Sequence, residues 1–213
     1  MIRSSRRSFG TAAVLLALAP LPGCSLLAPG APAPTKEVLD ELPGDLPSTG
    51  RRDALLVVLA VHAAPVYDTT AIAYRSRPGE IDFFARHEWA DPPARMLQPL
   101  AVRMLQATGA FEAVVGAPYF GHSPQVLRLE LDELLADFSV QPAVLRLSLR
   151  AVLQVSGRLR ARAVSAAQPI AERNPQGVVR AANAATAQAL LEIARFVLEG
   201  EPREASELPA ARR

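Results

Sequence analysis

From Val126 to Leu134 the chain alternates. Leu127, Leu129 and Leu131 fall on one side, and Arg128, Glu130 and Asp132 on the other. A strand points successive side chains to opposite faces, so this pattern predicts a half-buried strand. Leu145, Leu147 and Leu149 alternate in the same way with Arg146, Ser148 and Arg150, and Pro142 marks the turn region between the two. Val152 to Arg162 is expected to continue the sheet. Ala54 to Ala63 is a Val- and Leu-rich run of the length of a buried strand. Ala71–Ser76 and Ile81–Trp89 flank Arg77-Pro78-Gly79-Glu80, where the Pro-Gly pair signals a turn, so they read as a hairpin. Two stretches have a helical period instead. Met96, Leu97, Leu100, Met104 and Leu105 follow Asp91-Pro92-Pro93, with Asp91 as the expected cap and Gly109 as the stop. Phe111 to Val115 is then a short strand. Gln176 to Glu199 is the second long helix, with Val179, Ala182, Ala189, Ile193 and Val197 as its inner stripe.

These elements predict an α+β fold: an antiparallel or mixed sheet with two main helices packed on one face, in a single domain over 54–200. There is no regular alternation of strand and helix and no glycine-rich loop after a strand, which argues against a doubly wound nucleotide-binding fold. Ser25 to Asp53 lacks apolar periodicity and is broken by Pro29, Pro32, Pro34, Pro43 and Pro47. It reads as a tether with a reach between ~30 and ~90 Å, depending on its stiffness. Val38-Leu39 is the candidate within it for a short first strand. Residues 201–213 read as a loose polar tail.

Composition matters most at the N-terminus. Half of the residues are hydrophobic but only 5% are aromatic, so the core must rest on Leu, Val and Ala. The formal charge is +2; once Arg3, Arg6 and Arg7 are set aside, 20 basic side chains face 21 acidic ones. A nucleic-acid partner gains no support from that balance. The basic head, the apolar run Thr11–Leu21 and the small Gly23 before Cys24 have the order of a signal peptide over 1–23. The run is about half the ~20 residues of a membrane-crossing helix. Leu21-Pro22-Gly23-Cys24 resembles the bacterial lipobox. That resemblance implies cleavage between Gly23 and Cys24 and a covalent lipid, such as palmitate, on the chain's one cysteine. Each buried methylene adds ~0.8 kcal/mol of membrane affinity, so two or three chains anchor stably. Ser25, where enterobacterial lipoproteins retained at the inner membrane usually carry Asp, points to the outer membrane with the domain in the periplasm. Ser5-Arg6-Arg7-Ser8-Phe9 also resembles a twin-arginine signal, leaving that route and the general secretory route both open.

Catalytic chemistry is hard to place. The three histidines, His62, His87 and His122, are far apart, and His87-Glu88 lacks the second histidine of a zinc-protease pair. His87 reads as a surface residue of the hairpin. No serine lies in G-x-S-x-G and no phosphate-binding loop is present. No metal or cofactor beyond the lipid on Cys24 is expected. The segment from Tyr74 to Trp89 is unusual because it gathers Tyr74, Phe83, Phe84 and Trp89 in an aromatic-poor chain. It reads either as core or as a contact surface of Tyr74, Arg75, Phe84 and Trp89, since Tyr, Trp and Arg dominate interface energetics.

Ala73-Tyr74-Arg75, Glu80-Ile81-x-Phe83-Phe84, Trp89-Ala90-x-Pro92-Pro93 and Thr108-Gly109-Ala110-Phe111-x-x-Val114 resemble, in that order and spacing, the ABC-type transport auxiliary lipoprotein family, which includes paraquat-inducible protein C. The resemblance runs from about Ala54 to Glu199. Lys36-Glu37-Val38-Leu39 departs from the Tyr-rich first strand common in that family. The resemblance implies a non-catalytic role beside an MCE-domain protein and an ABC permease and ATPase, in traffic of lipid or hydrophobic compounds. A homo-oligomer fits that role. An alternative is a carrier lipoprotein with an acyl-chain cavity between sheet and helices.

Overall fold

In the computed structural model the described residues are 32–48, 50–122 and 125–199. Among them nine strands form one mixed sheet, curled into a half-barrel, with two long helices. The strands are β1 (Thr35–Glu37), β2 (Arg52–Val58), β3 (His62–Ala63), β4 (Ala71–Arg75), β5 (Asp82–Trp89), β6 (Phe111–Gly116), β7 (Gln125–Asp137), β8 (Val144–Val155) and β9 (Arg158–Pro169). The helices are α1 (Pro93–Ala107) and α2 (Pro175–Leu198).

β7 organises the sheet. One of its edges pairs antiparallel with β8 along its whole length, and β9 extends that side. Three short parallel strands share the other edge in succession. Leu56–Val58 of β2 lie beside Gln125–Leu127, His62-Ala63 beside Glu130-Leu131, and Tyr74-Arg75 of β4 beside Ala136-Asp137. β6 adds outside β2, while β5 and then β1 add outside β4.

The alternation read from sequence sets the core face. Leu127, Leu129, Leu131 and Leu149 are fully buried, and Leu145 and Leu147 nearly so. A bulge between Leu131 and Glu133 breaks the period, and beyond it Leu134 to Asp137 are all buried. A bulge adds one residue to one strand and so resets which side chains face in. The expected continuation from Val152 to Arg162 is interrupted. Ser156 and Gly157, both at positive φ, make a two-residue turn between β8 and β9. That backbone twist suits an antiparallel hairpin and favours glycine.

α1 begins with Pro93, after Pro92 in the cap position, and no side chain caps it. Asp91, expected to cap, sits one residue too early and accepts from Arg95 at 3.4 Å instead. Proline at the first turn lacks an N–H that would otherwise go unpaired, so a missing cap costs less there. α2 does have a cap: Asn174 Oδ1 accepts the Gly177 N–H at 2.8 Å. Its inner stripe holds Ala182, Ala189, Ile193 and Val197 as expected, but starts from Val178, while Val179 is only half-buried.

The segment read as tether takes part in the fold. The short first strand falls on Thr35–Glu37, just before Val38-Leu39, and runs parallel to His87–Trp89. Lys36 pairs with Glu88 at 2.7 Å and Glu37 with His87 at 2.9 Å. His87 is therefore partnered and only partly exposed. Leu39 is buried in the core. Gly23, Cys24 and the tail 201–213 lie outside the described residues.

Candidate docking site

Two wings of sheet flank β7, and the β4–β5 wing carries the aromatic segment singled out above. Tyr74 and Phe84 face the same side of this wing, with ring centroids 4.7 Å apart. Phe138, one residue past β7, adds a third ring 6.0 Å from Tyr74. Arg173, before α2, lays its guanidinium 4.9 Å from the Phe138 ring centre and donates to the Phe138 carbonyl at 3.0 Å. Tyr74, Phe84 and Phe138 are half-buried and pack against the edge of the core. The result is a patch of three aromatic side chains edged by one arginine. Such rings carry large contact area at low entropic cost.

Arg75 stands beside this patch but is committed to another partner. It donates to Asp137 at 2.5 Å, and Asp137 is 1% exposed. Ser139 donates to the same carboxylate through its hydroxyl at 2.5 Å and its N–H at 3.0 Å, and Arg146 approaches at 3.4 Å. The Arg75 guanidinium, helped by Ser139, holds the Asp137 carboxyl well below the usual aspartate range. This pair ties the end of β4 to the end of β7, beside their register of Tyr74 with Ala136 and Arg75 with Asp137.

Of the four contact residues expected from sequence, the structure joins Tyr74 and Phe84 directly and commits the neighbouring Arg75 to Asp137. Trp89 is elsewhere. At the far end of β5 it is 2% exposed and packed in the core, so it has no surface to offer a partner. Phe83, neighbour of Phe84, faces the opposite side and is 43% exposed. Phe138 and Arg173 were not singled out in the sequence. Phe138 directly follows the longest alternating run, but nothing in its spacing marks it as paired with Tyr74.

Between sheet and helices, Leu56, Leu129, Leu149, Ala185, Leu190 and Ile193 are all at 0% exposure. An open cleft of about 400 Å³ lies between Val38-Leu39 and the Met96, Pro99 and Leu100 side of α1. Among the described residues no group of three or more His, Cys, Asp and Glu is placed to hold a metal ion, and no helix is long and apolar enough to cross a membrane.

The sequence model of a family described as ABC-type transport auxiliary lipoprotein component matches residues 38–194, about three quarters of the chain. Among solved structures, a DUF330-family protein of Xanthomonas campestris is similar at 25% identity and a TM-score of 0.66, covering 78% of this chain and 93% of that one. A second structure, of an uncharacterized protein, is similar at 16% identity and a TM-score of 0.65, covering 78% of this chain and 99% of that one. No curated protein matches.

Proposed function

We propose that this chain, which belongs to the ABC-type transport auxiliary lipoprotein component family, acts as a lipid-anchored docking subunit and performs no catalysis itself. Acyl chains on Cys24 hold it to a membrane of the cell envelope, the outer one by the residue after the cysteine. The folded domain grips an MCE-domain protein that works with an ABC permease and ATPase. The observation that carries this reading is the patch of Tyr74, Phe84 and Phe138 with Arg173. It is partly exposed, and Arg75, the neighbour of Tyr74, is paired with Asp137, the neighbour of Phe138. Anchoring raises the local concentration of such a surface, so a modest contact suffices.

The test is recovery of the MCE-domain protein by the acylated chain. Arg173→Glu and Phe84→Ala are expected to lower recovery at least about tenfold, the loss of one interface anchor, with unchanged circular dichroism. Arg173 is exposed, so its reversal leaves the fold intact. Full recovery by both folded variants removes this patch from the interface.

A further inference from the structure

The sheet has its longest open edge at β9. On the far side of β7 the sheet ends in β1, of three residues, and β6, of six. β6 is also met by α1, where Gln106 donates to the Val114 carbonyl at 2.8 Å. β9 has twelve residues, and among the described residues it pairs with β8 alone. It lies across β7 from the β4–β5 wing and its aromatic patch.

The direction of the backbone bonds along β9 follows from its last turn. The Ile170 N–H donates to the Ala143 carbonyl at 2.8 Å, and these two residues continue the β8–β9 register. In an antiparallel ladder every second residue exchanges its backbone bonds with the neighbouring strand. Arg160, Arg162, Val164, Ala166 and Gln168 therefore bond to β8. Leu159, Ala161, Ala163, Ser165 and Ala167 direct their N–H and C=O groups to the open edge, and all five are exposed.

Natural sheets protect such an edge with a bulge, a charge or a proline. The register of β9 with β8 runs without a shift, and no charged residue stands among the five. Proline enters only at the last position, Pro169. Arg160 and Arg162 lie on the helix side, each 5.0 Å from the Phe196 ring centre and paired with Glu199, so their charge is met within the chain. An edge of this length without such devices is a template for another strand.

The edge matches a second copy of itself. A two-fold axis joins β9 to β9 antiparallel, the self-complementary contact of a symmetric dimer. With Ala163 on the axis, Ala161 meets Ser165 of the second copy and Leu159 meets Ala167. On the helix side Arg162 then meets Val164, and Arg160 meets Ala166. A shift that puts Ala161 or Arg162 on the axis sets arginine against arginine, which like charge disfavours. A shift to Val164 or beyond calls on Pro169, which has no N–H to give. We infer that β9 is a self-association edge: two copies of this chain pair β9 to β9 about an axis through Ala163, joining their sheets into one.

The full chain with Cys24→Ser has no cysteine left, so single thiols report the register. A residue on the axis faces its own counterpart at about 5.5 Å between α-carbons, within the ~4.4–6.8 Å that a disulfide spans. Under mild oxidation Ala163→Cys is expected to form a covalent dimer. Ala161→Cys and Ser165→Cys are each expected to stay monomeric alone and to cross-link when mixed. Ala163→Pro removes an N–H that faces the open edge and leaves the β8 ladder intact. It is expected to weaken dimerisation in sedimentation about tenfold, with unchanged circular dichroism. Cross-linking no faster at 163 than at 161, sedimentation of the Cys24→Ser chain as a monomer, or full dimerisation of Ala163→Pro overturns the inference.

Discussion

Asn183, midway along α2, donates its side-chain amide to the carbonyl of Val38 at 3.0 Å, across 145 residues of sequence. The same side chain accepts from the Asp40 and Glu41 N–H groups at 2.9 and 3.2 Å. One buried amide thus closes three backbone groups of the segment that leads from the N-terminus into the fold. Any pull from a membrane anchor would reach the domain through this segment. Leaving such groups unpaired costs about 1–3 kcal/mol. Asn183→Ala is therefore expected to destabilise the domain by that amount and to speed amide exchange at Asp40 and Glu41 well above that in β7 and β8. Unchanged protection at those two amides would show that another contact holds the segment.

Asp137 makes stability depend on pH. Its carboxyl is held below the ordinary aspartate range by Arg75 first and Ser139 second. A carboxylate depressed in the folded state stabilises fully above its unfolded value, near 3.9, and loses that contribution as pH falls toward the folded one. Asp137→Asn is expected to cost about 2–3 kcal/mol at pH 7, because it leaves the Arg75 charge partly buried without its counter-charge. Urea unfolding of both proteins from pH 7 to pH 2 should show the gap narrowing below about pH 4. A gap that stays constant over that range would contradict the pairing.

Trp89 is the chain's one tryptophan and is 2% exposed. Its emission should be blue-shifted and poorly quenched by iodide in the folded protein, moving red on unfolding. Trp89→Ala is expected to cost about 3–5 kcal/mol through the cavity it leaves. Any loss of partner binding in that variant should track loss of fold. Strong iodide quenching of the folded protein would place the ring at the surface after all.

The sheet and both helices were legible because single-period patterns govern them. Leu127, Leu129 and Leu131 alternate strictly, and the apolar spacing from Met96 to Leu105 is helical. What escaped depends on partners distant in sequence. Thr35–Glu37 has little apolar content, and its place is set by Lys36 and Glu37 meeting Glu88 and His87 on another strand. Trp89 looked like an interface residue because strand alternation says which residues share a face, not how far along the strand the core extends. Phe84 and Trp89 lie toward opposite ends of one strand, with a register shift between them, and only the pairing of β1 and β4 with β5 reveals which is covered. The aromatic patch was half visible for the same reason. Tyr74 and Phe84 belong to one hairpin, but Phe138 and Arg173 reach it from the ends of β7 and of the β9–α2 connection.

The mass of the protein extracted from bacterial membranes tests the proposed lipid at Cys24 most directly. The prediction is a chain that starts at Cys24 and is heavier than its sequence by a glyceryl group and two or three fatty-acyl chains. A mature chain with an unmodified thiol, or one still carrying Met1–Gly23, would contradict it.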